Sequence, residues 1–212
     1  MLEVSKFKSN CAVTYLQGLG RDENGFCLLV LGKSKEIRLV QSDRVHLCFP
    51  IAIGQNGVGK EKEGDRKTPL GDYSVKWMVS RNGPPKINPG GQSSFVVDGE
   101  TYSIRDTELY FGKLEHAGLS EPEFKIAQDE KLWTAAYGGE DVYVMALDYP
   151  NEEDKKEGRT GSSIEIHASA ILENVGIKDY KGTLGCIALI PNHAKKIYER
   201  IAAGTPVRIL AD

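Results

Sequence analysis

Two residues in the C-terminal third carry side chains that together can make and break an acyl bond. They are His167, in IEIHAS (164–169), and Cys186, in KGTLGCIALIPN (181–192). A thiol of ordinary pKa, about 8.5, is only a few per cent thiolate at neutral pH, so it needs a base before it attacks a carbonyl. An imidazole supplies that base, provided a third group accepts its other ring N–H and fixes the tautomer. Gly185 precedes the cysteine, and glycine lets the chain turn sharply enough to aim successive backbone N–H groups at a developing oxyanion. Spacing alone leaves a second reading open, in which Cys186 is a small buried hydrophobe and His167 a hydrogen-bonded core residue.

Four segments narrow the choice by their company and order: KTPLGDYSV (67–75), IEIHAS (164–169), GTLGCIAL (182–189) and AAGTPVRIL (202–210). Together they resemble the L,D-transpeptidase catalytic domain, the YkuD-type family of bacterial cell-wall enzymes. Its hallmarks are a TPxG turn into a strand, an IHG strand end, an S/T-x-GC-I nucleophile turn and a closing GTPV-x-I strand. The run ALDYPNEEDKKEGRTGSSIEIHAS (146–169) is similar to the branch of ErfK and YafK type proteins. The resemblance covers roughly residues 26–78 and 141–210 and leaves 80–140 unmatched.

The resemblance implies a mostly β fold with peripheral helices, an L,D-transpeptidase-like β-sandwich or barrel with an α+β insertion. It makes Cys186 the nucleophile that forms a thioester with a peptidoglycan stem peptide, and His167 the base and then the acid. Backbone N–H groups of Leu184, Gly185 and Cys186 would form the oxyanion hole, and the Ala168 carbonyl would orient the imidazole. Thr183, Arg159 and His116 are substrate-binding candidates. The Arg159 fork suits a substrate carboxylate, and its other reading is a loop ion pair with Asp148 or Asp154. No metal and no cofactor is implied. An amine acceptor gives cross-linking or anchoring, and water gives an L,D-carboxypeptidase or amidase. A non-catalytic wall-binding module and a cytoplasmic thiol hydrolase are the competing classes. Three positions depart from the family pattern: Ala168 replaces Gly, Leu184 stands where many members have His, and Ala188 stands where an Arg is common.

The elements that must position these groups read as strands in the first half, at CAVTYLQ (11–17), FCLLVLG (26–32), EIRLVQ (36–41) and RVHLCFPIAIG (44–54). Their short turns predict an antiparallel meander. Further strands are expected at Tyr73 to Val79, FVVD, TYSIRD, DVYVMALDYP with Val142, Val144 and Ala146 on one face, IEIHAS, CIALI and PVRIL. Helices are expected at 121–136 and 192–203. We read residues 1–212 as one domain, with 80–140 an insertion that either shapes the substrate site or elaborates the surface. The glycine-rich stretch from Gly54 does not meet the phosphate-loop pattern, because Lys60 is followed by Glu61 and no helix follows.

Composition sets outer bounds. With 40% hydrophobic and 27% charged residues the chain has the make-up of a globular domain, and a formal charge of -3 disfavours nucleic acid as a partner. No stretch reaches the roughly 20 apolar residues of a membrane helix. MLEVSKFKSNCAV lacks the features of a signal peptide, so an extracytoplasmic location requires a leader beyond this sequence. Cys11, Cys27 and Cys48 lack zinc-site spacing and read as buried thiols or one disulfide pair. His46 and His193 read as ordinary surface or capping histidines, and Tyr73, Tyr143, Trp133 and Tyr137 as packing residues.

Overall fold

The computed structural model describes residues 15–80, 83–87, 94–97, 100–103 and 142–212. Strand β1 (Phe26–Leu31) is buried from Cys27 onward, as a run of apolar residues covered on both faces must be. It pairs antiparallel with β2 (Glu36–Gln41), which pairs antiparallel with β3 (Arg44–Pro50). Ser42 and Asp43 join β2 to β3, both at positive φ, the geometry that matches a two-residue turn to strand twist. This is the meander expected of the first half.

The rest of the sheet is mixed. The last strand, β11 (Pro206–Leu210), lies parallel to β1 and antiparallel to the first residues of β4 (Gly71–Ser80). Beyond Ser74, β4 pairs with β8 (Tyr143–Leu147) and with β5 (Gly83–Ile87). Next come β9 (Glu165–Ala168), antiparallel to β8, and β10 (Ile187–Leu189), parallel to β9. Strands β6 (Ser94–Val97) and β7 (Glu100–Ser103) form a separate antiparallel hairpin. The segment after β3 then closes the sheet on itself. Ala52 and Ala188 exchange both backbone hydrogen bonds, at 2.9 and 2.8 Å, so the two ends of the strand order meet in a nearly closed barrel.

Leu28, Val30, Ile37, Leu39, Met78, Met145, Ile166, Ile187, Leu189, Val207 and Ile209 fill the interior. Helix α3 (Pro191–Tyr198) packs Ala194, Ile197 and Tyr198 into the same core, with Pro191 at its first turn where no N–H is needed. Both faces of β8 are buried. Tyr143, Met145 and Leu147 join the interior, while Val142, Val144 and Ala146 cluster with Trp77 and Val79 on the other side.

Several expectations are corrected. Residues 15–18 form a turn rather than the end of a strand, and Leu16 packs on Cys27, Leu29 and Val40 outside the barrel. The helix expected at 192–203 ends at Tyr198. Two further short helices arise that were not expected: α1 (Glu152–Lys156), closed by a reciprocal cap between Asn151 and Asp154, and α2 (Ala170–Val175), capped by Ser169. Cys27, Cys48 and Cys186 are free thiols. The helix at 121–136, His116 and Cys11 lie outside the described residues. Among the described residues no helix is long and apolar enough to cross a membrane.

Candidate active site

The parallel register of β9 and β10 decides which way the two chemical side chains point. Ile166 pairs with Ile187, His167 with Ala188, and Ala168 with Leu189. The outer members of that ladder face the interior, so His167 and Ala188 face away from it. Strand β8 extends this face with Val144 opposite His167 and Ala146 opposite Glu165. His167 thus lies on the outer face of β9 beside apolar Val144, and Cys186 immediately precedes β10, the strand that pairs with it.

His167 is only 7% exposed, and its Nδ1 lies 2.8 Å from the carbonyl oxygen of Ala168. A carbonyl only accepts, so Nδ1 carries the proton and Nε2 is the basic nitrogen. Ala168 lies inside β9 with extended backbone, which is why a side chain is tolerated where the family pattern has glycine.

The turn that leads into Cys186 is built around Thr183 and two glycines. Thr183 Oγ1 donates to the Cys186 carbonyl at 2.6 Å and accepts from the Gly185 N–H at 3.1 Å. Two expectations change here. The Thr183 hydroxyl is committed to the turn rather than to substrate, and the Gly185 N–H is committed to Thr183 rather than to an oxyanion. Gly185 sits at φ +141°, and a Cβ there would lie 2.9 Å from the Lys67 carbonyl, so only glycine fits. Leu184 is 70% exposed at the tip of the turn. Ala188 is fully buried against Ala52 and Leu172, which leaves no room for the arginine common in the family.

A second loop holds this turn from behind. Buried Thr68, in the TPLG segment, donates to the Gly185 carbonyl at 2.8 Å and accepts from the Gly54 N–H at 2.9 Å. Thr183 and Gln55 also pair through their backbones. The preceding loop folds around Asp65, whose carboxylate accepts from Lys60 Nζ at 2.9 Å and from the N–H groups of Glu61, Lys62 and Lys67. Burial works against that charge, yet the Lys60 ammonium and the three amides hold the carboxyl far below the usual range.

Cys186 is half-buried, and its Sγ donates to the Ser163 carbonyl at 3.4 Å. Burial, reinforced by the negative charge of Glu165, pushes the thiol up to about 12, against the opposing pull of the Glu165 backbone N–H and Lys60. At neutral pH the Cys186 thiol is therefore held protonated. It requires a base at the moment of attack.

Arg159 occupies the second of the two roles considered for it. Its guanidinium pairs with Asp154 at 2.7 Å and with Glu157, while Asp148 instead binds the Ser74 N–H and hydroxyl. Asp154 is 1% exposed and also accepts from the Tyr73 hydroxyl, whose pKa burial and this carboxylate both raise. Among the described residues no three His, Cys, Asp or Glu side chains converge in a metal-ligand set. Sequence reasoning missed Glu165, Lys60 and Thr68. The TPLG motif was the visible sign of Thr68, whereas Glu165 stood two residues before His167 without being weighed.

Comparison with known proteins places this geometry. Bd1075 from Bdellovibrio bacteriovorus is 18% identical, with a TM-score of 0.53 over 91% of this chain and 51% of its own. The helical cell shape determining protein Pgp2 from Campylobacter jejuni is 24% identical, with a TM-score of 0.52 over 95% of this chain and 56% of its own. The chain thus spans about half the length of these solved structures and shares their fold. A search of curated proteins returned no match. Residues 28–209, which run from β1 through the Cys186 turn to β11, match the model of the L,D-transpeptidase catalytic domain, and the chain belongs to that family.

Proposed function

We propose that this chain is a cysteine acyltransferase acting on peptidoglycan stem peptides outside the cytoplasm, with Cys186 as nucleophile and His167 as base. The observation that supports the reading is that Cys186 immediately precedes β10, which runs parallel to and beside the β9 strand carrying His167, with His167 held by its Nδ1 so that Nε2 is the basic nitrogen. In the first step the Cys186 proton passes to Nε2 as sulfur bonds to the peptide carbonyl carbon. The N–H groups of Leu184 and Cys186 receive the developing oxyanion. Collapse breaks the C–N bond, the leaving amine takes the proton from the imidazolium, and a thioester remains. An amine acceptor then attacks, losing its proton to His167, and sulfur leaves as the thiol. Water in place of the amine gives the hydrolytic outcome.

Mass spectrometry of the intact protein after mixing with a carbapenem tests this reading. The expected result is one covalent adduct, located on Cys186, absent from Cys186→Ala and slowed at least about a hundredfold in His167→Ala, within the range of general-base contributions. An adduct elsewhere, or none on wild type, overturns it. Product analysis with tetrapeptide muropeptides, with and without an added amine, then assigns the acceptor.

A further inference from the structure

The Cys186 thiol is held by the backbone of a residue whose own side chain is exposed. Sγ donates to the carbonyl of Ser163 at 3.4 Å, and since a carbonyl only accepts, the thiol proton lies between the two. Ser163 holds φ +55°, in the left-handed region, which serine adopts at a cost that glycine and asparagine largely escape. Such a conformation persists where the surrounding chain leaves no other. Here both flanks are fixed. Thr160 donates its N–H to the Glu61 carbonyl at 3.0 Å, accepts from the Glu63 N–H at 3.1 Å through its hydroxyl, and accepts from the Tyr149 hydroxyl at 3.0 Å through its carbonyl. On the other side the buried Ile164 accepts from the Leu147 N–H of β8 at 2.9 Å. The Ile164 Cδ1 lies 3.1 Å from where a Cβ on Gly185 would stand, so the chain around Ser163 packs against the turn that leads into Cys186. The result of this left-handed turn is one carbonyl aimed at one sulfur.

We propose that Ser163 is a positioning residue for the nucleophile: its carbonyl, turned toward the thiol by the left-handed backbone, fixes the place of the Cys186 sulfur from which attack begins. The proposal rests on the acyl-transfer reading above and adds to it the group that aims the thiol. An unheld cysteine samples three staggered wells about its first side-chain bond, and each points sulfur in a different direction. The S–H···O bond selects one of them before a donor arrives, so orientation is settled ahead of the chemical step. Once the proton has passed to His167, the Ser163 oxygen faces a thiolate with nothing left to accept. It then repels the sulfur, in the direction of the donor carbon.

Because the Ser163 side chain is exposed, substitution there changes the backbone preference and little else. Ser163→Val disfavours the left-handed region, whereas Ser163→Asn retains it. The S–H stretching band of Cys186, read by infrared spectroscopy as wild type minus Cys186→Ala, should lie below that of a thiol in an apolar solvent. A wild-type band at the solvent value overturns the proposal, and that arm needs no substitution at Ser163. In Ser163→Val the band should rise toward the solvent value, and in Ser163→Asn it should stay in place. Carbapenem acylation, followed by mass spectrometry of the intact protein, should slow at least about tenfold in Ser163→Val and stay within about threefold of wild type in Ser163→Asn. The slowing should lie in the maximal rate and not in the carbapenem concentration that half-saturates it, with the final adduct still reaching one per chain. An equal loss in both variants overturns the proposal, and so does a smaller final adduct formed at the wild-type rate, the pattern of chains that failed to fold. A band displaced in Ser163→Val with no adduct on wild type leaves the contact standing and removes acyl transfer, while an adduct whose rate and band Ser163→Val leaves unmoved does the reverse.

Discussion

The hydroxyl of Thr68 donates to the carbonyl of Gly185 at 2.8 Å across 117 positions of sequence, and both groups are buried. The bond joins the TPLG segment to the residue before Cys186. Replacing Thr68 with valine keeps the volume but strands the Gly185 carbonyl and the Gly54 N–H that the hydroxyl now serves. Thr68→Val is expected to lose about 1–3 kcal/mol of stability in denaturant titration. The rate of carbapenem acylation should fall with it, because the turn loses its anchor.

Gly185 tolerates no side chain. Gly185→Ala would force a Cβ against the Lys67 carbonyl at a positive φ, so the turn must shift. The expected outcome is a loss of about 1–3 kcal/mol and of Cys186 acylation. Leu184→Ser, one position earlier on an exposed side chain, should leave the melting temperature unchanged. Comparing the two by thermal denaturation checks that the constraint is local to the glycine.

The protonated state of Cys186 gives a pH signature. With the thiol pushed up to about 12, alkylation by iodoacetamide should be slow at pH 7 and rise about tenfold per pH unit through pH 10, following the thiolate fraction. Linkage gives the sign for stability. The folded pKa exceeds the ordinary 9.0, so above pH 9 the unfolded chain holds fewer protons than the native one and stability falls as pH rises. Cys186→Ala should lessen that decline between pH 9 and pH 11, leaving the part due to Cys27 and Cys48, whose thiols burial also raises. A neutral-pH alkylation rate like that of free cysteine would contradict the assignment.

Asp65 gives the opposite signature at the acid end. Its folded pKa lies below the ordinary 3.8, so its contribution is present above that value and is lost as pH falls toward the folded pKa. Asp65→Asn leaves the buried Lys60 ammonium without its carboxylate and should lower stability by about 2 kcal/mol at pH 7. The variant should also show a weaker acid dependence below pH 4, measured by chemical denaturation.

Local pattern made much of the fold readable, and long-range pairing did not. Strands β1, β2 and β3 follow from apolar runs and two-residue turns, and the outward placement of Val142, Val144 and Ala146 follows from alternation. The parallel pairings of β1 with β11 and β9 with β10 are set by packing between distant segments, which local pattern does not encode. Helix α1 escaped notice because its residues are almost all charged and show no apolar stripe. It stands on a cap, on dipole-matched charges and on one buried acid, Asp154. At the site, residue type and motif singled out His167 and Cys186, and the pairing of β9 with β10 brings their segments together. The use of Thr183 and the Gly185 N–H within the turn was not, because a hydroxyl's partner is a matter of geometry. Glu165 was not weighed at all, and its nearness to the Cys186 thiol emerges only from the packing of distant segments.

The joining of Ala52 to Ala188 makes the setting of the Cys186 thiol a late product of folding. Contacts between such remote segments carry a large loop-closure entropy and form after local ones. A nascent or partly unfolded chain therefore presents Cys186 as a flexible, unassisted cysteine without an oriented base. Acylation by a site-directed reagent consequently reports on completed closure of the barrel, and can be followed during refolding as a clock for the final step.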